Sequence, residues 1–254
     1  MMSKSITFIG NGKMALALAK GLCETHTIEV IGRSMSAIEK FEQALNTHVK
    51  KALYSSADIT DKTIILCVKP ANLKEIAPLL KGKAEVLYSV LAGTTLEALK
   101  SIDARYYCRT MPNLAAEAGA SMTSLVGDQE ISNQAIALFD SIGQTLWLGS
   151  EKELDIATAL AGSGPAYLAL IAEALCDGAV REGLKRDDAM ALMRGLFEGF
   201  GKLIQTTHPA LLKDNVMSPG GTTAAGYGAM EKGKVREGCM EAIHAAYTRA
   251  KEMK

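Results

Sequence analysis

No metal-binding motif is present in this sequence. The four histidines, His26, His48, His208 and His244, form neither an HxxxH nor an HExxH pattern. The five cysteines, at 23, 67, 108, 176 and 239, make no CxxC pair. Free thiols, a reducing cytoplasm and no structural metal are therefore expected. Charge of either sign is not in excess, since Lys+Arg and Asp+Glu are both 28. A neutral chain carries no electrostatic footprint for nucleic acid or an anionic membrane. The apolar stretch in `MMSKSITFIGNG` is too short for a signal peptide and runs into glycines. The uncharged run Ile156 to Ile171 is interrupted by `GSGP`, and it falls short of the ~20 residues of a spanning helix. No repeat, low-complexity tract or flexible linker is visible. With hydrophobic residues at 48% and charged at 22%, the 254-residue chain reads as soluble and globular, with core enough for one large domain or two ordinary ones.

The two halves differ in rhythm. Up to about Gly149, the β-rich runs `SITFIG`, `IEVIGR`, `TIILCVK`, `EVLYSVLA`, `RYYCRTM`, `SMTSLV` and `TLWLG` alternate with amphipathic stretches such as Lys13 to Cys23 and Ser36 to Leu45. That alternation predicts a doubly wound α/β domain with a parallel sheet, mixed where the later strands crowd together. Beyond it the pattern turns helical. Met190, Met193, Phe197, Phe200 and Ile204 share one helix face; Leu168, Ile171, Leu175 and Ala179 share another. Met240, Ile243 and Tyr247 do the same in the last segment. Such stripes are core or partner-helix surfaces. A boundary near 149–152 is expected, with an α/β domain over 1–150 and an all-α domain over 151–254. Long Ala- and Gly-rich helices in so short a domain are consistent with an intertwined dimer.

A strand, a glycine turn and a helix open the chain in `ITFIGNGKMALALAKG`. Gly10 permits the tight turn, Gly12 lets the backbone reach a pyrophosphate, and Ala15 stands in the third glycine's place. Asn11, Lys13 and Met14 complete that loop, and the helix start offers free N–H groups to the anion. At the end of the second strand an NAD site would hold an acidic residue. Arg33 and Ser34 stand there instead and can hold a 2′-phosphate, so NADPH is favoured, with NADH also accepted. Two further loops lie at the expected carboxyl edge, Val68-Lys69-Pro70 and Ala92-Gly93, together with Asn113 in `MPN`.

With `FIGNGKMALALAKG`, `VKP`, `RTMPN`, `AGSGPAYLALIAEALCDGAVREGL`, `HPALLKDNV` and above all `SPGGTTAAGYGAMEKG`, the chain resembles the pyrroline-5-carboxylate reductase family over nearly its whole length. The resemblance implies a Rossmann-like NADP-binding domain followed by a helical domain that dimerises by interlocking, in some members as a ring of dimers. It implies reduction of the cyclic imine Δ1-pyrroline-5-carboxylate to L-proline with NAD(P)H, the last step of proline biosynthesis. Ser218, Gly220, Gly221 and Thr222 would then offer backbone N–H groups and a hydroxyl to the substrate carboxylate at a helix start, with Pro219 fixing the approach of the chain. Thr223 would face the ring nitrogen, orienting it and stabilising its charge. `GSGPAY` reads as structural, with Pro165 in the first turn of a long helix. Three positions depart from the family pattern: Leu114-Ala115 replaces Thr-Pro after `MPN`, and Thr206 stands where some members carry glutamate.

Two other readings remain. A β-hydroxyacid dehydrogenase would use a lysine in the interdomain helix, and `GSGPAYLALIAEAL` holds none. A non-catalytic cofactor-binding scaffold would have no need of the bare `SPGGTT` loop.

Overall fold

The computed structural model describes residues 4–253. The chain divides into two compact units, Met1–Pro165 with Ile243–Lys254, and Ala166–Ala242. The first unit runs β1 (Lys4–Ile9), α1 (Lys13–Leu22), β2 (His26–Gly32), α2 (Met35–Leu45), β3 (Lys50–Leu53), β4 (Thr63–Leu66), α3 (Leu73–Ile76) and β5 (Ala84–Ser89). It continues with α4 (Leu96–Leu99), β6 (Ala104–Met111), β7 (Ser121–Gly127), α5 (Ser132–Asp140), β8 (Gly143–Trp147) and α6 (Glu151–Ala157).

The eight strands form one sheet in the order β3-β2-β1-β4-β5-β6-β7-β8. All neighbours are parallel except β6 and β7. The exception follows from the connection, because the short `PNLAAEAGA` link holds no crossover helix and a parallel return needs one. Both faces of the sheet are covered. Ala15, Leu18, Leu22, Ile38, Phe41 and Phe139 from α1, α2 and α5 pack on one face with Ile6, Phe8 and Val30. Leu73, Ile76 and Leu99 from α3 and α4 pack on the other with Ile9, Ile31 and Leu87. A buried Leu or Phe of this kind is worth about 1.5–3 kcal/mol, so this unit has a core of its own.

The sequence reading missed β3. `KKAL` offers two lysines in four residues, a poor strand signal in isolation. Lysines belong at a sheet edge, where they discourage pairing with another chain, and β3 is the edge strand.

`GSGP` opens α7 (Gly164–Arg181) with Pro165 in its first turn, as expected, yet it does not separate that helix from α6. A π-turn over Thr158–Gly162 links α6 to α7, and the Ser163 amide donates to Thr158 O at 3.0 Å across it. A proline in a first turn removes only an N–H that the wider π-turn does not need. The resulting run, Glu151–Arg181, is long and apolar enough by length and composition to cross a membrane. Although the sequence changes rhythm at 149–152, the first compact unit continues through α6 to Pro165. Arg109 on β6 accounts for this: its guanidinium is bonded to both Glu151 and Asp155 of α6, at 2.9 Å each.

The second unit contains the rest of α7, then α8 (Arg186–Leu203), α9 (Pro209–Val216), α10 (Thr222–Lys232) and the beginning of α11 (Val235–Glu252). Among its residues only Cys176 and Ala189 are buried. The Cys176 thiol reaches Ala189 O at 3.6 Å, joining α7 to α8. Met190, Met193 and Phe197 are half-buried on the expected face of α8. A second apolar stripe on that helix, Leu192, Leu196 and Leu203, is more than half exposed.

Candidate functional site

β1 is flanked by β2 and β4, which makes its carboxyl end the point where the strand order reverses and ligands of open α/β sheets bind. Gly10 turns the chain there with φ +104, and a Cβ at this position would lie 2.7 Å from Cys67 O. Its amide donates to Ile31 O at 2.9 Å. Gly12 is different. It is the N-cap of α1, in extended conformation with no side-chain cap, and nothing lies within 4 Å of where its Cβ would be. The first amides of α1 are therefore uncapped beside open space, the condition for anion binding at a helix start. A cleft of about 340 Å³ opens at Asn11, Gly12 and Lys13. Met14 is half-buried and Ala15 fully buried, which seats α1 on the sheet.

Arg33 and Ser34 follow β2, both exposed. Ser34 caps α2, its hydroxyl oxygen accepting from the Ala37 amide at 3.4 Å; its O–H stays available as a donor. Arg33 Nη2 donates to both carboxylate oxygens of Glu75, at 3.1 and 3.3 Å. Nothing local points to Glu75, which lies 42 residues away. Beside the pair stands Tyr54, its phenol pushed up by burial, eased by Arg33 and raised by Glu75. Glu29 points elsewhere, accepting from Thr7 Oγ1 at 2.7 Å and pairing with Lys62.

The remaining loops are built differently from one another. Val68 packs beside Gly10, Lys69 is exposed, and Pro70 opens a short 3₁₀ turn. Ala92 is half-buried and Gly93 buried. A Cβ on Gly93 would lie 2.6 Å from Met253 Cβ, so the glycine admits the end of α11. Asn113 is buried with both ends of its amide engaged: Nδ2 donates to Ala161 O at 3.1 Å, and Oδ1 accepts from the Ala115 amide at 3.0 Å. Glu151 ties this region together, accepting from Arg109 Nη1 and from the Leu96 amide, each at 2.9 Å. An arginine inside a strand pattern was the available signal for this buried ion cluster, since a strand arginine needs a partner once covered.

In the second unit `SPGGTTAAG` folds as a turn running into α10. Gly220 has φ +69, a left-handed conformation that suits glycine. The Gly221 amide donates to Ser218 O at 3.0 Å, and a Cβ on Gly221 would lie 2.4 Å from Ser218 Oγ. Gly221 is the N-cap of α10 without a side-chain cap, and Ala225 N is the first amide bonded back to it, at 3.2 Å. Thr222 and Thr223 are exposed at this start. Thr223 and Tyr227 line an apolar groove of about 600 Å³ with Leu196, Phe200, Leu203 and Leu212. Leu114 is exposed at the head of a 3₁₀ turn, and Thr206 Oγ1 donates to Leu203 O at 3.4 Å. Among the described residues no group of His, Cys, Asp and Glu could hold a metal ion.

A glycine turn at the reversal of a parallel sheet, an uncapped helix beyond it and an arginine after β2 fit a phosphorylated dinucleotide, and define a nicotinamide-dependent oxidoreductase. Residues 5–93 match the family described as NADP oxidoreductase, coenzyme F420-dependent, and residues 151–253 match pyrroline-5-carboxylate reductase dimerisation. The pyrroline-5-carboxylate reductase of Glycine max is 37% identical over 99% of this chain and 96% of its own. That of Helicobacter pylori strain J99 is 34% identical over 94% and 96%. The crystal structure of 1-pyrroline-5-carboxylate reductase from Streptococcus pyogenes superposes with a TM-score of 0.88 at 31% identity, covering 98% of this chain and 99% of that one. The Plasmodium falciparum pyrroline carboxylate reductase with NADP bound gives 0.82 at 28% identity, covering 100% and 99%. The chain belongs to the pyrroline-5-carboxylate reductase family. It is an NAD(P)H-dependent oxidoreductase that self-associates through its helical half.

Proposed function

We propose that the protein reduces Δ1-pyrroline-5-carboxylate to L-proline, completing proline biosynthesis with NADPH as preferred donor and NADH also accepted. The observation that carries this reading is the uncapped start of α10, whose free amides suit a carboxylate. Gly220 and Thr222 present such amides without side-chain obstruction, Gly221 keeps the approach clear while its own amide turns back to Ser218 O, and Ser218 adds a hydroxyl. Thr223 accepts a hydrogen bond from the protonated ring nitrogen, fixing the ring and stabilising its positive charge in a largely apolar groove. A threonine hydroxyl is a weak acid, so it orients a proton already on nitrogen rather than supplying one. The reduced nicotinamide supplies the hydride that the C=N carbon takes up.

For the donor, Gly10, Asn11, Gly12, Lys13, Met14 and Ala15 form the pyrophosphate turn, and Arg33 with Ser34 receives the 2′-phosphate. Val68, Lys69, Pro70, Ala92, Gly93 and Asn113 shape the rest of that crevice, Asn113 by holding its loop rather than by a free amide. The domains are 1–150 for the donor and 151–254 for dimerisation and substrate, the second of which begins where the dimerisation match begins.

The dimer is intertwined and works in the cytoplasm. Exposed leucines on α7, α8 and α9 are distributed over several helices, a pattern that a second copy covers and a lipid slab does not. The reading is tested by following NADPH and NADH oxidation with Δ1-pyrroline-5-carboxylate in the wild-type protein and in Thr223→Ala. Turnover that falls by about tenfold to a hundredfold in the variant supports it, since a hydrogen bond to a charged group is worth that much. No turnover with either donor refutes it.

A further inference from the structure

Arg33, the cation on which a 2′-phosphate site depends, is already engaged. It donates from Nη2 to Glu75 Oε1 and Oε2 at 3.1 and 3.3 Å. The side chains are 66% and 62% exposed, so the pair is open to solvent and to a ligand. Arg33 leaves the end of β2, while Glu75 sits on α3, just beyond the `VKP` turn after β4. The two strands flank β1, so the pair spans the crevice from both sides of the glycine turn. Tyr54, after β3, feels both charges.

A carboxylate in this place has opposite consequences for the two donors. The 2′-phosphate carries a charge of about −1.5 to −2, competes with Glu75 for the same guanidinium and is repelled by the displaced carboxylate. A free 2′-hydroxyl needs an acceptor, and a carboxylate is the group that receives it in NAD sites. The sequence showed no acid at the end of β2. The fold brings one to Arg33 from α3.

We propose that Glu75 is a specificity-determining residue that holds down the preference for NADPH over NADH, by masking Arg33 and by accepting the 2′-hydroxyl of the unphosphorylated donor. The inference rests on the placement of the donor's ribose at Arg33 and Ser34 given above. It predicts that removing the Glu75 charge strengthens the phosphorylated nucleotide and weakens the other.

The test compares binding of NADP⁺ and NAD⁺ to the assembled protein by titration calorimetry, in wild type, Glu75→Gln and Arg33→Ala, with kcat/KM for NADPH and NADH alongside. The two nucleotides differ only at the 2′ position, so a general loss of fold moves both affinities and leaves their ratio. Glu75→Gln is expected to raise the NADP⁺:NAD⁺ affinity ratio by roughly three- to tenfold, the scale of exposed ion pairs acting on a near-divalent phosphate. Arg33→Ala is expected to lower it. An unchanged or lowered ratio in Glu75→Gln, with a lowered ratio in Arg33→Ala, overturns the role of Glu75 and leaves the donor site standing. A ratio unmoved by either substitution, or a wild-type protein that binds neither nucleotide, overturns the placement of the site and the inference with it.

Discussion

Arg109 Nη2 meets Asp155 Oδ1 at 2.9 Å, with the side chains 0% and 2% exposed. A strand of the sheet and the helix that leaves it are thus joined by charges that water does not reach.

Arg109→Met should destabilise the protein by about 3–5 kcal/mol, because it leaves a buried carboxylate without its cation. The double variant Arg109→Met/Asp155→Leu should recover much of that loss, since a buried pair can be exchanged for apolar packing at little cost. Glu151 is 30% exposed and can be hydrated in both. Urea unfolding at one fixed protomer concentration measures the difference. Equal loss in the single and double variants would remove the ion pair from the account.

The two glycines of the front turn should fail in different ways. Gly10→Ala forces a side chain into φ +104 and against Cys67 O, and should cost about 1–3 kcal/mol or more of stability. Gly12→Ala meets no protein atom, so its melting temperature should stay near wild type while NADP⁺ affinity falls. Paired thermal melts and nucleotide titrations read both. An intact affinity in Gly12→Ala would show that no ligand approaches that backbone.

Alkaline solution should destabilise the fold through three acids, buried Cys108 and Tyr88 and half-buried Cys67. Burial pushes the Cys67 and Cys108 thiols up, and burial followed by the proximity of Cys108 does the same to the Tyr88 phenol. Folded chains then keep protons that unfolded chains lose above about pH 8.5 for cysteine and pH 10 for tyrosine. With more protons bound in the folded state, stability falls as pH rises, by up to about 1.4 kcal/mol per pH unit for each group. Below about pH 7 these groups contribute almost no slope. Cys108→Ala should flatten the alkaline limb of a stability-against-pH curve, and an unchanged limb would contradict the assignment.

Much of this architecture was legible in one dimension because its signals are local. Gly10-Asn11-Gly12 reads as a turn from its own residues, and the alternation of strand and helix reads as a parallel sheet. The start of α10 was visible in Gly221 and Thr222 for the same reason. The features that escaped depend on distant partners. Glu75 gains its meaning only when α3 brings it to Arg33, and `KKAL` becomes a strand only because β2 is beside it. Arg109 looked like an ordinary strand residue until α6 covered it. `GSGP` looked like a break because proline and glycine usually are, yet the wide turn before Pro165 absorbs both. Gly93 was readable as a loop glycine, but its close approach to Met253 was not, since the far end of the chain supplies that neighbour.

The helical unit has almost no interior of its own, and only Cys176 and Ala189 are withdrawn from solvent. The sheet unit can complete its core within one copy of the chain, whereas the helical unit needs another. Folding of the second half is therefore a reaction of second order. Dilution acts on it as a denaturant would, and newly made chains wait, sheet first, for a mate before the helical half of the enzyme exists.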